Sequence, residues 1–437
     1  MHMRIIYTDK QAEFSFLKEM KKRAGETNLS TNEVVLKIIN DVRENGDEAV
    51  RKYGLQFDGV CPKNFEVTKE EIKNAYDTAQ DEFKNALLHA KENITKYHEK
   101  QVQKEYEIKK ENGIILGQMI RGLSRVGIYV PGGTAAYPST VLMNALPAKL
   151  AGVEEIIMVT PPMIEPGEGG KQVCRANPDI LAAAYLAGVD RVFLAGGAQA
   201  IAALTYGTES FPIVDKIVGP GNIYVATAKQ LLFGQVDIDM IAGPSEILVI
   251  ADETANPKYL AADLMSQAEH DELASSILLT ISEELAKETL KEIKKQIKYL
   301  KRKTVIEKSL NNFGIIIICK SMVEMILLSN LIAPEHLELM VKEPMNYLPQ
   351  IKNAGSVFCG EYAPEALGDY LAGTNHVLPT SGTARFSSPL GVYSFVKKMS
   401  YTFYTKEALA IDKNHIITIA DKEGLDAHGN SIKVRFE

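Results

Sequence analysis

The stretch IAPEHLEL, Ile332 to Leu339, sets the carboxylate of Glu335 beside the imidazole of His336, just after a proline and within an otherwise apolar run. Three chemistries fit it: a pair of metal ligands, a pair of proton carriers serving different steps of one reaction, or a helix begun by Pro334 and Glu335 in which His336 is a satisfied polar residue. A second group lies in NPKYLAADLMSQAEHDELA, where Pro257 stands at a helix start and Gln267 and His270 share one helix face. A histidine with a second polar group at that spacing can chelate a metal. Gln is an uncommon ligand, so Asp263 or Asp271 could replace it, and a polar helix face in water is the plain alternative. The segment Gly368 to Val392, GDYLAGTNHVLPTSGTARFSSPLGV, gathers Asp369, Asn375, His376 and Arg385 among small residues with little periodicity. Long irregular segments of that kind are usually functional. In the tail, Glu423 and His428 form one more acid and imidazole group, unless they simply face water.

Glycine turns make a different sort of candidate. KIVGPGNIY places Gly219 and Gly221 between a strand and a helix, as a dinucleotide fingerprint begins, but Tyr224 holds the third glycine position and Pro220 stands between the first two. GIYVPGG and FLAGGAQ are also glycine turns after strands that miss the fingerprint. Singly, each reads as a tight connection. Together they describe a close-backbone polar edge suited to a nucleotide bound in an atypical way.

The elements that must position these groups begin at about Arg125. From there RVGIYVPGG, EEIIMVTPP, RVFLAGGAQ, KIVGPGN and SEILVIAD alternate with helical stretches, which predicts βαβ units and a parallel sheet. In such sheets ligands gather past the carboxyl ends of strands, so weight falls on the residues just after each strand. FGIIIICKS reads as a further strand and SMVEMILLSNLIAPEH as a helix. Upstream, STNEVVLKIINDVREN puts Val34, Val35, Ile38, Ile39 and Val42 on one helical face, with Asn45-Gly46 to stop it. Thr68 and Glu71 form a capping box, and the polar helical region it opens carries His89 and His98, both expected in water. KETLKEIKKQIKYLKRK is a solvated amphipathic helix with Leu290, Ile293, Ile297 and Leu300 inward.

Composition limits the rest. A chain of 437 residues can hold two or three domains, and 46% hydrophobic with 24% charged residues is ordinary for a globular protein. A net charge of −7 works against a phosphate backbone, so no nucleic-acid partner is expected. Apolar runs are too short for a bilayer and MHMRIIYTDK lacks a signal-peptide core, which predicts a cytoplasmic protein without membrane association. Cys61, Cys174, Cys319 and Cys359 form no CxxC pair and are expected reduced and mostly buried.

Taken in order, AGPSEILVIAD, SQAEHD, APEHLEL, GTNHVLPTSGTARFSSPLGV and EGLDAHGNSIKVR, with RVGIYVPGG and GGAQAIAAL upstream, closely resemble the histidinol dehydrogenases over nearly the whole chain. The resemblance implies oxidation of L-histidinol through L-histidinaldehyde to L-histidine with two NAD+ and one Zn2+, in the last steps of histidine biosynthesis. By motif, the zinc ligands would be Gln267, His270, Asp369 and His428. Glu335 and His336 would be the proton carriers. Ser245 and Glu423 would help hold the substrate alongside Gln267, His270, His336, Asp369 and His428, while Tyr129, Gln199 and Asn222 would contact NAD+. The implied fold is α/β, with two incomplete Rossmann-like domains: residues 26–128 with 246–329, and 129–245 with 330–390. A helical piece would form residues 1–25. A tail, 391–437, would reach the partner subunit of a homodimer and complete its site. Where the family more often has Ser-Gly-Pro, this chain has Ala372, Gly373 and Thr374.

Two hydride transfers with water added between them require repeated proton removal, a role suited to a histidine, and activation of that water, which the neighbouring carboxylate can supply. Histidinol's imidazole and amine suit zinc as a substrate holder rather than a hydroxide source. No cysteine lies in a nucleophile-like segment. A zinc-dependent hydrolase on the same metal site is the rival enzyme class, and a non-catalytic binding protein the remaining alternative.

Overall fold

The computed structural model describes residues 3–9, 15–18, 29–132, 137–166 and 172–437 of the chain. Two compact units divide it: Met1–Gln101 with Leu123–Phe395, and Val102–Gly122 with Val396–Glu437.

The first unit contains two six-stranded sheets. One runs Arg4–Tyr7, Gly314–Ile318, Ser275–Thr280, Glu246–Ala251, His336–Met340, Ser356–Cys359, with every pair parallel and Ile247 opposite His336. Its four inner strands are buried along their whole length because helices cover both faces. Ile247 and Val249 pack with Leu260 and Leu264 of helix Pro257–Ala268, whereas Leu248 and Ile250 pack with Ile326 and Leu328 of helix Met322–Ile332. The other sheet runs Asp237–Ile238, Lys216–Val218, Arg125–Tyr129, Glu155–Thr160, Arg191–Leu194, Glu66–Val67, and only the last pair is antiparallel. The parallel α/β reading of the sequence is borne out.

The strands divide differently from the expected segments. His336–Met340 and Ser356–Cys359 join the sheet of Glu246–Ala251, and Arg125–Tyr129 joins the sheet of Lys216–Val218. Parallel neighbours are linked by crossovers that can skip positions, so chain order does not dictate which sheet a strand enters. The N-terminal piece, expected to be helical, contributes the edge strand Arg4–Tyr7 and a helical turn at 15–18; the remainder of residues 1–25 lies outside the described residues.

Local expectations also meet corrections. Asn45-Gly46 does end the first helix, since Gly46 takes non-helical backbone (φ 51°, ψ −131°), but a second helix follows at once, so that helical structure spans Leu29–Phe57 across the break. Val35, Ile38, Ile39 and Val42 are buried as the periodicity requires, while Val34 is exposed. His89 is exposed, but His98 is fully buried, its Nδ1 paired with the Ile94 carbonyl and its Nε2 facing Asn375 Nδ2 at 3.4 Å. No disulfide joins the four cysteines, and only Cys319 is buried. Among the described residues no helix is long and apolar enough to cross a membrane.

In the second unit, Val396–Phe403 pairs antiparallel with Ile115–Gly122, which pairs in turn with Tyr106–Lys109. Helices Lys406–Lys422 and Asp426–Lys433 follow. The tail therefore folds with residues 102–122, which the sequence reading had assigned to the first domain.

Candidate active site

Glu335 and His336 do not begin a helix. Helix Met322–Ile332 stops at Ala333, which takes left-handed backbone (φ 53°), and Pro334 and Glu335 lead directly into the strand that starts at His336. Alternation along that strand turns His336, Glu338 and Met340 to one face, where Met340 packs with Leu260 and Leu264 of helix Pro257–Ala268. The same helix carries Gln267, fully buried in its last turn, with His270 just beyond its end. Helix Glu365–Tyr370 supplies the third wall, with Glu365 and Asp369 one turn apart.

Backbone fixes the pair Glu335 and His336. Glu335 Oε2 accepts the Glu246 N–H at 2.9 Å, and His336 Nδ1 lies 3.1 Å from the Glu246 carbonyl oxygen. In the neutral form of the ring, a proton on Nδ1 donated to that carbonyl leaves the lone pair on Nε2. This nitrogen is buried without a hydrogen-bond partner, and its nearest acid is Asp369 Oδ1 at 3.8 Å. Glu335 Oε2 and Glu365 Oε1 lie 3.7 and 3.9 Å from Nδ1. The Gln267 carboxamide is best oriented with its nitrogen toward Glu365, donating to Oε1 at 2.9 Å.

Crowding three acids around one imidazole sets the electrostatics. Burial pushes the Glu335 carboxyl up to about 8, against the pull of His336 and of the Glu246 N–H. Burial works in the opposite sense on His336, but Glu335, Glu365 and Asp369 outweigh it and hold the imidazole at about 10. Glu365 is raised by burial to about 7. Burial would also raise Asp369, yet His336 and the other neighbouring imidazoles hold it below the usual range. His270, though exposed at the rim, is crowded enough that lost hydration pushes its imidazole down against the attraction of Asp369. Beneath the group, Glu338 Oε1 accepts the Glu365 N–H at 2.9 Å and anchors the start of the short helix.

Ligand atoms of His270, Glu365 and Asp369 all lie within 4.8 Å of one another. Two oxygens and an imidazole nitrogen at that spacing, with the Gln267 carboxamide adjacent and excess negative charge behind, suit a borderline divalent cation such as zinc. Three of the four expected zinc ligands thus sit on the walls of one group. Glu365 was missed in the sequence; its spacing four residues before Asp369 was the available signal. His376, left without a role, lies with Nδ1 3.0 Å from the Asp369 carbonyl oxygen and Nε2 3.3 Å from Thr140 Oγ1, and so braces the metal-side helix. Ser245 directly precedes Glu246 and is half-buried. Glu423 and His428 belong to the second unit, where both are exposed, Glu423 closing one helix and His428 within the next.

The expected NAD+ residues occupy the carboxyl end of the other sheet. Tyr129 is buried and its hydroxyl accepts the Gly197 N–H at 3.1 Å, with burial raising it to about 12. Gln199 is buried in the first turn of helix Gly197–Tyr206; its Oε1 has no hydrogen-bond partner, and it lines a cleft with Gly196, Pro162, Asp58 and Cys61. Asn222 caps helix Ile223–Leu232, its side-chain oxygen accepting from Tyr224 and Val225 N–H.

A family model described as histidinol dehydrogenase matches residues 21–436. The chain belongs to the histidinol dehydrogenase family. It is 58% identical over 422 residues to the histidinol dehydrogenase of Clostridium acetobutylicum, covering 97% of this chain and 96% of that one. The histidinol dehydrogenase of Bacillus cereus is 56% identical, with 100% and 99% covered. The crystal structure of histidinol dehydrogenase from Elizabethkingia anophelis superposes with a TM-score of 0.90 at 39% identity, covering 100% of this chain and 98% of that one. Membership makes this protein an oxidoreductase, and the hydrolase alternative falls with it.

Proposed function

We propose that the chain oxidises L-histidinol through L-histidinaldehyde to L-histidine with two NAD+ and one zinc ion per site. The observation that carries this reading is the His336 ring, held through Nδ1 at the Glu246 carbonyl so that its buried Nε2 faces Asp369 of the metal-binding group at 3.8 Å. Gln267, His270 and Asp369 would hold the metal, with His428 of the partner subunit as the fourth ligand in a homodimer. Bound there, zinc would anchor the substrate's imidazole and amine and offset the negative field that raises His336.

The protein's own groups carry the proton traffic. His336 Nε2 takes the hydroxyl proton as hydride leaves the alcohol carbon for the nicotinamide, giving the aldehyde and NADH. Glu335, in its ionised form, removes a proton from the water that adds to the aldehyde. From the resulting hydrate His336 takes the second hydroxyl proton as hydride passes to the second NAD+, leaving the carboxylate. Ser245, with Glu423 from the partner's tail, would hold the substrate. Glu365 keeps Gln267 oriented through their hydrogen bond. Tyr129 shapes the dinucleotide edge by holding the Gly197 turn rather than by an exposed contact, while Gln199 and Asn222 would meet the cofactor.

The deciding assay is NADH formation at 340 nm with L-histidinol, with and without a chelator. About two NADH per histidinol, lost on chelation, is the expected result. No NADH, or turnover indifferent to metal, would overturn the reading.

A further inference from the structure

The turn Gly219-Pro220-Gly221-Asn222 is gripped by a buried ion pair that the catalytic reading does not use. Gly219 follows the strand Lys216–Val218, which lies between Asp237–Ile238 and Arg125–Tyr129. From the first neighbour, Asp239 Oδ2 accepts the Gly219 N–H at 2.7 Å. Asp239 Oδ1 accepts the Met240 N–H at 2.6 Å and pairs with Lys229 Nζ. From the helix after the turn, Lys229 Nζ donates to the Gly219 carbonyl oxygen at 3.0 Å. From the second neighbour, Tyr129 closes the space: a Cβ on Gly219 would stand 2.2 Å from the Tyr129 carbonyl oxygen, and Gly219 has a φ of 108° that side chains rarely adopt. Both charged side chains are almost completely buried, at 2% and 1% exposure.

Burying two charges costs desolvation that their mutual attraction only roughly offsets, so an apolar pair would fill this space as well. An apolar pair could not hold both the N–H and the carbonyl of Gly219, which belong to the two peptides flanking its Cα. We infer that Lys229 and Asp239 are positioning residues for the dinucleotide: they fix the turn that presents Asn222 and the backbone amides of Gly221 and Asn222 at the sheet edge. The inference rests on the NAD+ reading of that edge. The pair touches no cofactor itself and acts only through the turn.

The test is the double variant Lys229→Met/Asp239→Leu, which removes the grip while leaving no lone buried charge. Its circular dichroism and thermal midpoint report folding. The expected result is a KM for NAD+ raised about 10- to 100-fold, as for misplacement of a binding element by about 1 Å, with the KM for histidinol changed less than about twofold. Amide hydrogen exchange at Gly219, Gly221 and Asn222 should quicken in the same variant. An unchanged KM for NAD+ in the folded variant would overturn the inference. If the double variant does not fold, Gly219→Ala dislodges the same turn from the Tyr129 side and must give the same split between the two KM values; equal effects on both would overturn the inference. In the wild type, NAD+ should slow exchange at those three amides. Failure there removes the cofactor reading and the inference built on it, whereas slowed exchange with an indifferent double variant removes the inference alone.

Discussion

The two sheets present their functional groups at opposite ends. In the sheet of Glu246–Ala251 the group lies at the amino ends: Ser245 and Glu335 precede their strands and His336 is the first residue of its own. In the sheet of Arg125–Tyr129 the candidate groups lie at the carboxyl ends, with Tyr129 closing its strand and Gln199 and Asn222 following theirs. The first end is built from charged side chains that hold one another in a buried cluster. The second is built from glycine turns and backbone, with the buried Lys229–Asp239 ion pair turned inward to hold the main chain. Proton transfer needs titratable atoms at fixed distances, which packing and mutual charge can supply. Cradling a dinucleotide needs close main-chain approach, which side chains obstruct.

The largest effect expected from breaking the charged end is His270→Ala. If His270 is the direct ligand proposed above, its loss should weaken zinc retention by more than the roughly 10- to 100-fold that loss of an outer partner costs, and histidinol binding should disappear with it. Metal content by atomic emission and histidinol calorimetry check this; tight histidinol binding without metal would remove zinc as the substrate holder. His336→Asn comes next. Both hydride steps should slow by about 10² to 10⁴, the usual contribution of a positioned base, while NAD+ affinity stays near normal because the other sheet end is untouched. Near-normal rates at neutral pH would reject the assignment.

Glu335→Gln separates the two members of the pair. The amide cannot activate water, so aldehyde oxidation should fall by at least about 10², whereas alcohol and aldehyde still interconvert. Single-turnover assays from each starting compound measure the two steps, and equal loss in both would sink the division of labour. The same cluster sets a pH dependence for the metal-free chain. Glu335 and Glu365 have folded-state pKa values raised to about 8 and about 7, and His336 is raised to about 10. All three bind protons more tightly folded than unfolded. Their contribution is therefore fully present at low pH and is lost as pH rises toward 10. The thermal midpoint of chelated protein should fall by a few degrees between pH 6 and pH 9, and zinc should flatten that slope. A midpoint that rises over this window would contradict the buried charge arrangement.

The charged end was also the more legible one in the sequence. Glu335 and His336 are adjacent, and Gln267 and His270 share a helix face, so local spacing alone brought each pair together. Glu365 was hidden because the preceding Ala363-Pro364 makes it read as an ordinary helix start. What joins it to His336 is a strand pairing 20 residues apart, His336 with Ser356, that no local period encodes. His98 was misread for a similar reason: its helix is polar in pattern, and besides the local Ile94 carbonyl its buried partner is the distant Asn375, which also donates to the Met143 carbonyl. The assignment of 330–390 to the wrong sheet, and of 102–122 away from the tail, has that cause too, since crossover order is a property of packing between segments. At the glycine end the turns were visible, but their inner clamp was not, because Lys229 and Asp239 look like exposed charges until the strands are paired.

The smallest effect tests whether Asn222 belongs to that end as a cofactor contact or only as a helix cap. Its side-chain oxygen accepts from the Tyr224 and Val225 amides at 3.0 and 3.2 Å, so the residue already has a structural task. Asn222→Ala should cost about 1 kcal/mol of stability through the lost cap whichever role is right, and so decides nothing about the cofactor. Asn222→Asp keeps a capping oxygen and should leave the thermal midpoint within about a degree, since Asp and Asn cap helices comparably well. It also removes the amide donor and places a negative charge where a pyrophosphate would approach. If Asn222 faces NAD+, the KM for NAD+ rises at least about tenfold through that repulsion while the KM for histidinol holds. If both constants stay at their wild-type values, Asn222 is a cap alone, and the dinucleotide edge must be carried by Gln199 and the backbone amides of the turn.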